Sequence, residues 1–199
     1  INYGYYLYMK IYDTGSIIYL EMAESPSVQP VPSSVDPGNI LLIQNTSTFG
    51  NLTLNGGVVL AGNPQVSWSK NFNAAAGTSS VLNTSDLSYA FILQGALDGT
   101  GEVKQMGTGL VNFQGDGSGF AGKYIVSTGT FNLASTLGSA AGPCTLELDE
   151  GSTMTGNGTI QGLLTQHGTL NAGNSIGTLQ VVGRYRQTDS AQTITEIAS

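Results

Sequence analysis

Short apolar runs, each bounded by Gly, Asn or Asp, recur along the chain from residue 39 onward. Typical runs are NLTLNGGVVLAG, YAFILQG, GLVNFQG and TLELDEG. Proteins built from β-hairpins show longer alternating strands joined by two-residue Asn-Gly loops. Evenly spread short strands between turn formers are instead typical of a solenoid. The sequence therefore predicts an all-β parallel β-helix, with roughly 20 residues in a coil and about eight coils.

The residue composition agrees with stacked short strands. Asp, Glu, Lys and Arg make up 10% of the residues, well below the roughly 25% of ordinary globular domains. Charges repeated in register on stacked coils would repel one another, so a solenoid favours a charge-poor sequence. Alternation predicts that leucines such as Leu52, Leu133 and Leu179 point into the core and stack on one another.

Charge and cysteine content exclude several classes of function. The net charge is -7 with only six Lys and Arg residues, which excludes a phosphate-binding stripe and therefore nucleic acid as a partner. The single cysteine, Cys144, excludes an internal disulfide and a multi-cysteine metal site, and we expect it to be a small buried residue. No apolar run approaches the ~18 residues of a membrane span. We predict no cofactor and no metal.

Composition divides the chain into three regions. Residues 1–24 are rich in tyrosine, and two β-rich runs flanking Gly15 predict a hairpin. Residues 25–38 hold four of the six prolines, which predicts an extended linker or strap. Residues 39–199 are the predicted solenoid. Because open β-helix edges aggregate unless they are covered, the hairpin and the strap are candidate caps, and an uncovered edge is a candidate surface for self-association.

Two motifs suggest catalysis, and we interpret both structurally. Asp13-Thr14-Gly15-Ser16 is how aspartic proteases present a catalytic carboxylate, but that chemistry needs two aspartates that share a proton. Only one copy is present, so we interpret it as a turn. His167 is the only histidine and precedes a Gly corner, where a polar exposed residue is expected rather than a member of a catalytic triad.

Acidic turn dipeptides keep one enzymatic alternative open. Asp98-Gly99, Asp116-Gly117 and Asp149-Glu150-Gly151 recur along the solenoid. β-Helical polysaccharide hydrolases and lyases use clustered carboxylates or bound Ca²⁺. No spacing places three carboxylates on one face, and Asp-Gly is foremost a turn dipeptide. We therefore predict no catalytic residues.

Trp68 and Phe72 are the candidate ligand-contacting residues. They lie in the least regular stretch, residues 62–86, which is polar. One interpretation is a loop that bulges from the rod, where binding residues tend to sit. The other is that these aromatic side chains pack in the core or at corners. The ligand in the first case would be a host-surface, matrix or carbohydrate molecule.

Two stretches resemble a known family. Within residues 93–139, the turns Lys104–Gly109, Phe120–Gly122 and Gly129–Phe131 resemble the autotransporter-associated β-strand repeat. The later stretch is similar to the C-terminal part of autotransporter passengers, where Ala172 replaces the usual proline. The residues that match this second motif are Gly173, Asn174, Ser175, Gly177, Thr178, Leu179 and Tyr185.

The resemblance implies a structural and functional class. It implies a right-handed β-helix and an outer-membrane translocator beyond this segment. It also implies a structural, adhesive and virulence-associated passenger at the bacterial cell surface or secreted from it. Its C-terminal coils would help the passenger to fold during secretion. The alternatives are a self-assembling extracellular fibre subunit and a β-helical polysaccharide hydrolase or lyase.

Overall fold

A computed structural model describes residues 33–43, 49–85, 89–173 and 177–195, and the backbone of residues 8–10. Every regular element in these ranges is a β-strand, and the strands form three sheets. The strands are numbered in chain order. All pairs are parallel except the first pair of the first sheet.

Sheet 1 is the longest, with ten strands. Its strands are β1 (Tyr8–Lys10), β3 (Asn39–Ile43), β5 (Val58–Ala61), β8 (Ser79–Asn83), β11 (Glu102–Met106), β13 (Lys123–Val126), β15 (Thr136–Leu137), β16 (Cys144–Leu148), β18 (Thr159–Gln166) and β20 (Gln180–Gln187). Successive strands of the sheet come from successive turns of the chain, which is the connectivity of a solenoid.

Two shorter sheets complete the cross-section. Sheet 2 has four strands: β2 (Ser34–Val35), β4 (Leu52–Leu54), β7 (Phe72–Ala74) and β10 (Leu97–Gly99). Sheet 3 has seven: β6 (Gln65–Trp68), β9 (Ala90–Leu93), β12 (Leu110–Phe113), β14 (Thr130–Leu133), β17 (Thr153–Gly156), β19 (Thr169–Ala172) and β21 (Gln192–Thr195). The chain makes about seven turns, so the predicted parallel β-solenoid is confirmed.

The core is a set of side-chain columns that run along the solenoid. In sheet 3, Phe91, Val111, Phe131 and Met154 lie opposite one another on successive strands, and all four are buried. Apolar residues alternate with outward-facing polar residues because side chains of a strand point to opposite faces in turn.

The turns of the solenoid differ in the number of residues they contain. The stretch of chain from Val66 to its partner Phe91 is much longer than the stretch from Met154 to its partner Leu170.

The structure corrects the prediction that residues 62–86 bulge as a loop carrying Trp68 and Phe72. The described part of this stretch contains β6, β7 and β8. The Trp68 and Phe72 side chains are 0% and 1% exposed, and their rings stack at 4.9 Å. The physical reason is the alternation in QVSW, where Val66 and Trp68 share the inward face. The second interpretation, aromatic packing in the core, is therefore the right one.

A strand of the solenoid already lies within residues 25–38, which the sequence predicts as a linker. Ser34 and Val35 form strand β2, which pairs with β4, and Val35 is buried. The β1 backbone pairs antiparallel with β3 at this end of sheet 1. The rest of the predicted hairpin and strap lies outside the described residues.

Glycines mark a corner within the two longest strands. Ile160 continues the column of Leu137, whereas Gly162 and the residues after it pair with β16. Gly162 and Gly183 face each other at this corner with φ values of 147° and 144°, which L-residues with a side chain rarely adopt. A Cβ on Gly183 would lie 2.1 Å from the Gly162 carbonyl oxygen, so the corner requires glycine.

Candidate interaction surface

The His, Cys, Asp and Glu side chains of the described residues form no cluster that could hold a metal ion. No three His, Cys, Asp or Glu side chains in those ranges are close enough to share a cation. The Ser118 amide donates to Asp116 Oδ1 at 2.9 Å, and this bond lowers the pKa of the Asp116 carboxyl. A carboxylate that bonds the backbone two residues on is an Asx turn, as the Asp-Gly interpretation expects.

Cys144 lies in the core, as the sequence predicts. Its side chain is 2% exposed, and burial raises the pKa of the thiol to about 11. A thiol that stays protonated at neutral pH is a poor nucleophile. Cys144 therefore acts as a small apolar residue in the column that continues to Gly162 and Gly183.

A buried glutamine joins two coils in the middle of the solenoid. Gln105 is 0% exposed, and its Nε2 donates to the Thr130 carbonyl oxygen at 2.9 Å. Its Oε1 accepts from the Tyr124 hydroxyl at 3.4 Å. Both partners belong to the following turn, so one side chain holds sheet 1 of its own turn to sheets 1 and 3 of the next. Burial raises the pKa of the Tyr124 phenol, which stays neutral.

The same arrangement recurs in the last described turn. Gln166 is 0% exposed, and its Nε2 donates to the Gln192 carbonyl oxygen at 2.7 Å. Its Oε1 accepts from the Tyr185 hydroxyl. In both cases the tyrosine follows the glutamine by 19 residues. This motif was not predicted from the sequence, although the repeated Gln-to-Tyr spacing of one coil is a signal that identifies it.

The residues of the autotransporter-like motif occupy separate places. The Gly173 amide donates to the Gly156 carbonyl oxygen at 2.9 Å. Leu179 packs against the core, while Tyr185 lies in β20. Gly177 and Thr178 are exposed, and Asn174 and Ser175 lie outside the described residues. Tyr185 is thus the member of this set with a defined inter-coil role.

The last described turn carries three of the four large apolar side chains that are exposed in the described residues. Within those residues, β20 pairs with β18 alone and β21 pairs with β19 alone. Tyr185, Val182 and Ile194 are each 47% exposed in these strands. In the middle of the solenoid, the equivalent Tyr124 is fully covered by the next strand. Within the described residues, this turn therefore exposes apolar side chains that the next turn covers elsewhere in the solenoid.

The lateral faces are polar and carry few charges. On sheet 3, Asn132 Nδ2 donates to Asn112 Oδ1 at 2.8 Å, and Thr155 Oγ1 donates to Asn132 Oδ1 at 3.0 Å. On sheet 1, Lys123 Nζ lies 2.7 Å from a Glu147 carboxylate oxygen. The hydrogen bond to Glu147 raises the pKa of Lys123. These faces display amides, hydroxyls and a compensated ion pair rather than a charged stripe.

The comparisons with known proteins give no relative. Searches against protein-family models, curated proteins and solved structures find no match for this chain. Within the described ranges, no helix has the length and apolarity that crossing a membrane would require.

Proposed function

We propose that this chain is a structural segment of an autotransporter-like passenger, which displays an adhesive surface outside a bacterial cell. The observation that supports the proposal most is the long paired ladder of β18 and β20, joined by the Tyr185–Gln166 bond. Tyr185 of β20 is one of the residues that resemble the C-terminal part of autotransporter passengers. A long ladder at one end suits a solenoid in which each new coil forms on the previous one.

The lateral faces fit an adhesive role better than a catalytic one. The half-buried Asn112 and Thr155 on sheet 3 are uncharged, and the buried Asn132 hydrogen-bonds to both and holds them in line. Preorganised amides and hydroxyls bind the hydroxyls of a carbohydrate or the backbone of a matrix protein at little entropic cost. Trp68 and Phe72 do not contribute, because both lie in the core. The ligand we propose is therefore a host-surface, matrix or carbohydrate molecule bound along a face.

Protease accessibility in the native source tests the proposed location. Protease is added to intact cells, and the segment and a cytoplasmic control protein are followed with antibodies. We expect the segment to be digested without lysis of the cells and to fractionate with the outer membrane or the medium. We also expect it to belong to a polypeptide with a mass above 20.6 kDa. Protection of the segment until the cells are lysed would overturn the proposal.

A second candidate function is self-assembly, which is favoured by the edges of β20 and β21 that have no partner strand among the described residues. An extracellular fibre subunit would stack through such edges. The two candidates differ in what covers this end of the solenoid. A stalk needs no second copy, whereas an assembly subunit needs one.

A further inference from the structure

Two columns of polar side chains run along the outer face of sheet 3. Phe131, Met154 and Leu170 are buried, so the residues on either side of each of them point outward. The first column, the threonine column, lies on β14, β17 and β19 and consists of Thr130, Thr153 and Thr169. The second, the asparagine column, consists of Asn132, Thr155 and Asn171. Successive members of a column are about 4.8 Å apart, as neighbouring strands are, so the face is a regular grid.

The two columns differ in their hydrogen bonds. The asparagine column is bonded along its length, because Asn132 donates to Asn112 at 2.8 Å and Thr155 donates to Asn132 at 3.0 Å. In the part of the chain that the structure describes, the hydroxyls of the threonine column have no hydrogen-bond partner in the protein. Threonine is stiff at χ1, so it loses little freedom when a ligand binds. One column therefore aligns the strands, and the other offers free hydroxyls.

The grid carries no charge and no aromatic ring. This holds for every outward position of β12, β14, β17 and β19. The whole chain has a net charge of -7, so an anionic polymer would be repelled and would find no cation on this face. Because there is no ring on which a sugar could stack, hydrogen bonds are the contacts that the face offers. These properties favour an uncharged ligand that is rich in hydroxyls.

The repeat of the grid sets the direction of such a ligand. Three equivalent threonines follow one another along the solenoid axis, whereas each strand offers only two positions, which belong to different columns. A polymer with a repeating unit therefore meets equivalent hydroxyls only along the axis. Several weak bonds to one polymer add up, because after the first contact the others form within the same complex.

We propose that an uncharged, linear polysaccharide lies along the threonine column, parallel to the solenoid axis, with its hydroxyls bonded to Thr130, Thr153 and Thr169. The inference rests on the proposed adhesive role of the lateral faces. It names the class of ligand, the residues that bind it and the direction in which it lies.

Co-sedimentation with insoluble polysaccharides tests the proposal. The 199-residue chain is mixed with cellulose and chitin, which are uncharged and linear, and with alginate, which is anionic. We expect the chain to bind at least one of the two uncharged polymers and not to bind alginate. Thr153→Val keeps the shape of the central threonine and removes its hydroxyl, so we expect it to weaken binding by about fivefold.

Thr165→Val is the matched control. Thr165 is a half-buried, outward-facing threonine of β18, so the same hydroxyl is removed from sheet 1. We expect this variant to bind like the unchanged chain, and urea unfolding verifies that both variants are folded.

Four outcomes would each overturn the proposal. They are equal losses of binding in the two variants, unchanged binding by Thr153→Val, binding to alginate, and no binding to either uncharged polymer. The protease test of cell-surface location does not depend on the threonine column. A failure of the proposed binding is therefore distinguishable from a failure of the proposed function.

Discussion

At the scale of single residues, buried polar side chains help to align neighbouring coils of the solenoid. Gln105 and Gln166 have 0% exposure, yet each bonds through both its amide nitrogen and its amide oxygen. A buried polar group stabilises a fold only when its bonds are satisfied, and it then specifies one arrangement of its neighbours. Apolar columns tolerate small slips between coils, whereas a glutamine bonded to the next coil fixes the alignment.

Trp68 is a different case, because its ring is buried while its Nε1 donor has no hydrogen-bond partner among the described residues. Trp68→Ala removes the ring that stacks on Phe72 and leaves a cavity, and we expect a loss of about 3–5 kcal/mol. Trp68→Phe keeps an aromatic ring and removes the unpaired donor, so its loss should be smaller. Urea unfolding of the two variants measures both, and equal losses would contradict this account of the site.

Tyr124 is expected to make the free energy of unfolding depend on pH in the alkaline range. Burial raises the pKa of the folded phenol above its ordinary value of 10.0. The unfolded chain therefore loses this proton first, and the stability present below about pH 10 falls as the pH rises. We expect Tyr124→Phe to flatten the decline in unfolding free energy above pH 10. The measurement is denaturant unfolding between pH 8 and 11, and an unchanged slope would contradict the prediction.

At the scale of secondary-structure elements, the strands differ in how they join neighbouring turns. Most pair along four or five residues, but β18 and β20 pair along eight and bend together at Gly162 and Gly183. The bonds from Gln166 to Tyr185 and Gln192 add to this ladder. The last described turn thus has the longest strand pairing, while its side chains are the most exposed to solvent among the described turns.

Folding kinetics test whether this long ladder forms early. If the C-terminal coils nucleate folding, Tyr185→Phe should slow refolding, while Tyr124→Phe should mainly accelerate unfolding. The two substitutions delete the same hydrogen bond to a glutamine, so each serves as the control for the other. Stopped-flow measurements give both rates. Slower refolding for Tyr124→Phe alone would place the nucleus in the middle of the solenoid.

Sequence alternation predicted the strands because the signal is local. Leu52 and Leu54 flank a polar residue, and such a pattern identifies the inward face without knowledge of the rest of the chain. Strand β2 was not predicted because it has two residues and lies beside prolines. The Gln166–Tyr185 bond was not predicted either, because its partners meet only when one coil stacks on the next. For Trp68 the sequence left a loop and core packing open, because its polar neighbours favour a loop while a short alternation favours a strand.

At the scale of the whole molecule, the solenoid is a sum of turns that each contact only their neighbours. Such proteins unfold locally at the ends first, because an end turn has one neighbour and an inner turn has two. Among the described residues, the interior strands β13 and β14 are paired on both sides, whereas β20 and β21 are paired on one. Stability is therefore expected to be graded along the rod.

Hydrogen exchange measures this gradient. At low protein concentration, we expect amides of β20 and β21 to exchange faster than those of β13 and β14. Uniform exchange along the rod would contradict the graded picture.

The unequal lengths of the turns have a consequence for how such a chain can change in evolution. The path from Val66 to Phe91 is much longer than that from Met154 to Leu170, yet both ends of each path lie opposite one another in sheet 3. Extra residues are absorbed between strands, so an insertion or deletion there leaves the rungs of the ladder in place. Changes in length can therefore accumulate at the corners of the rod without disturbing the stacked core.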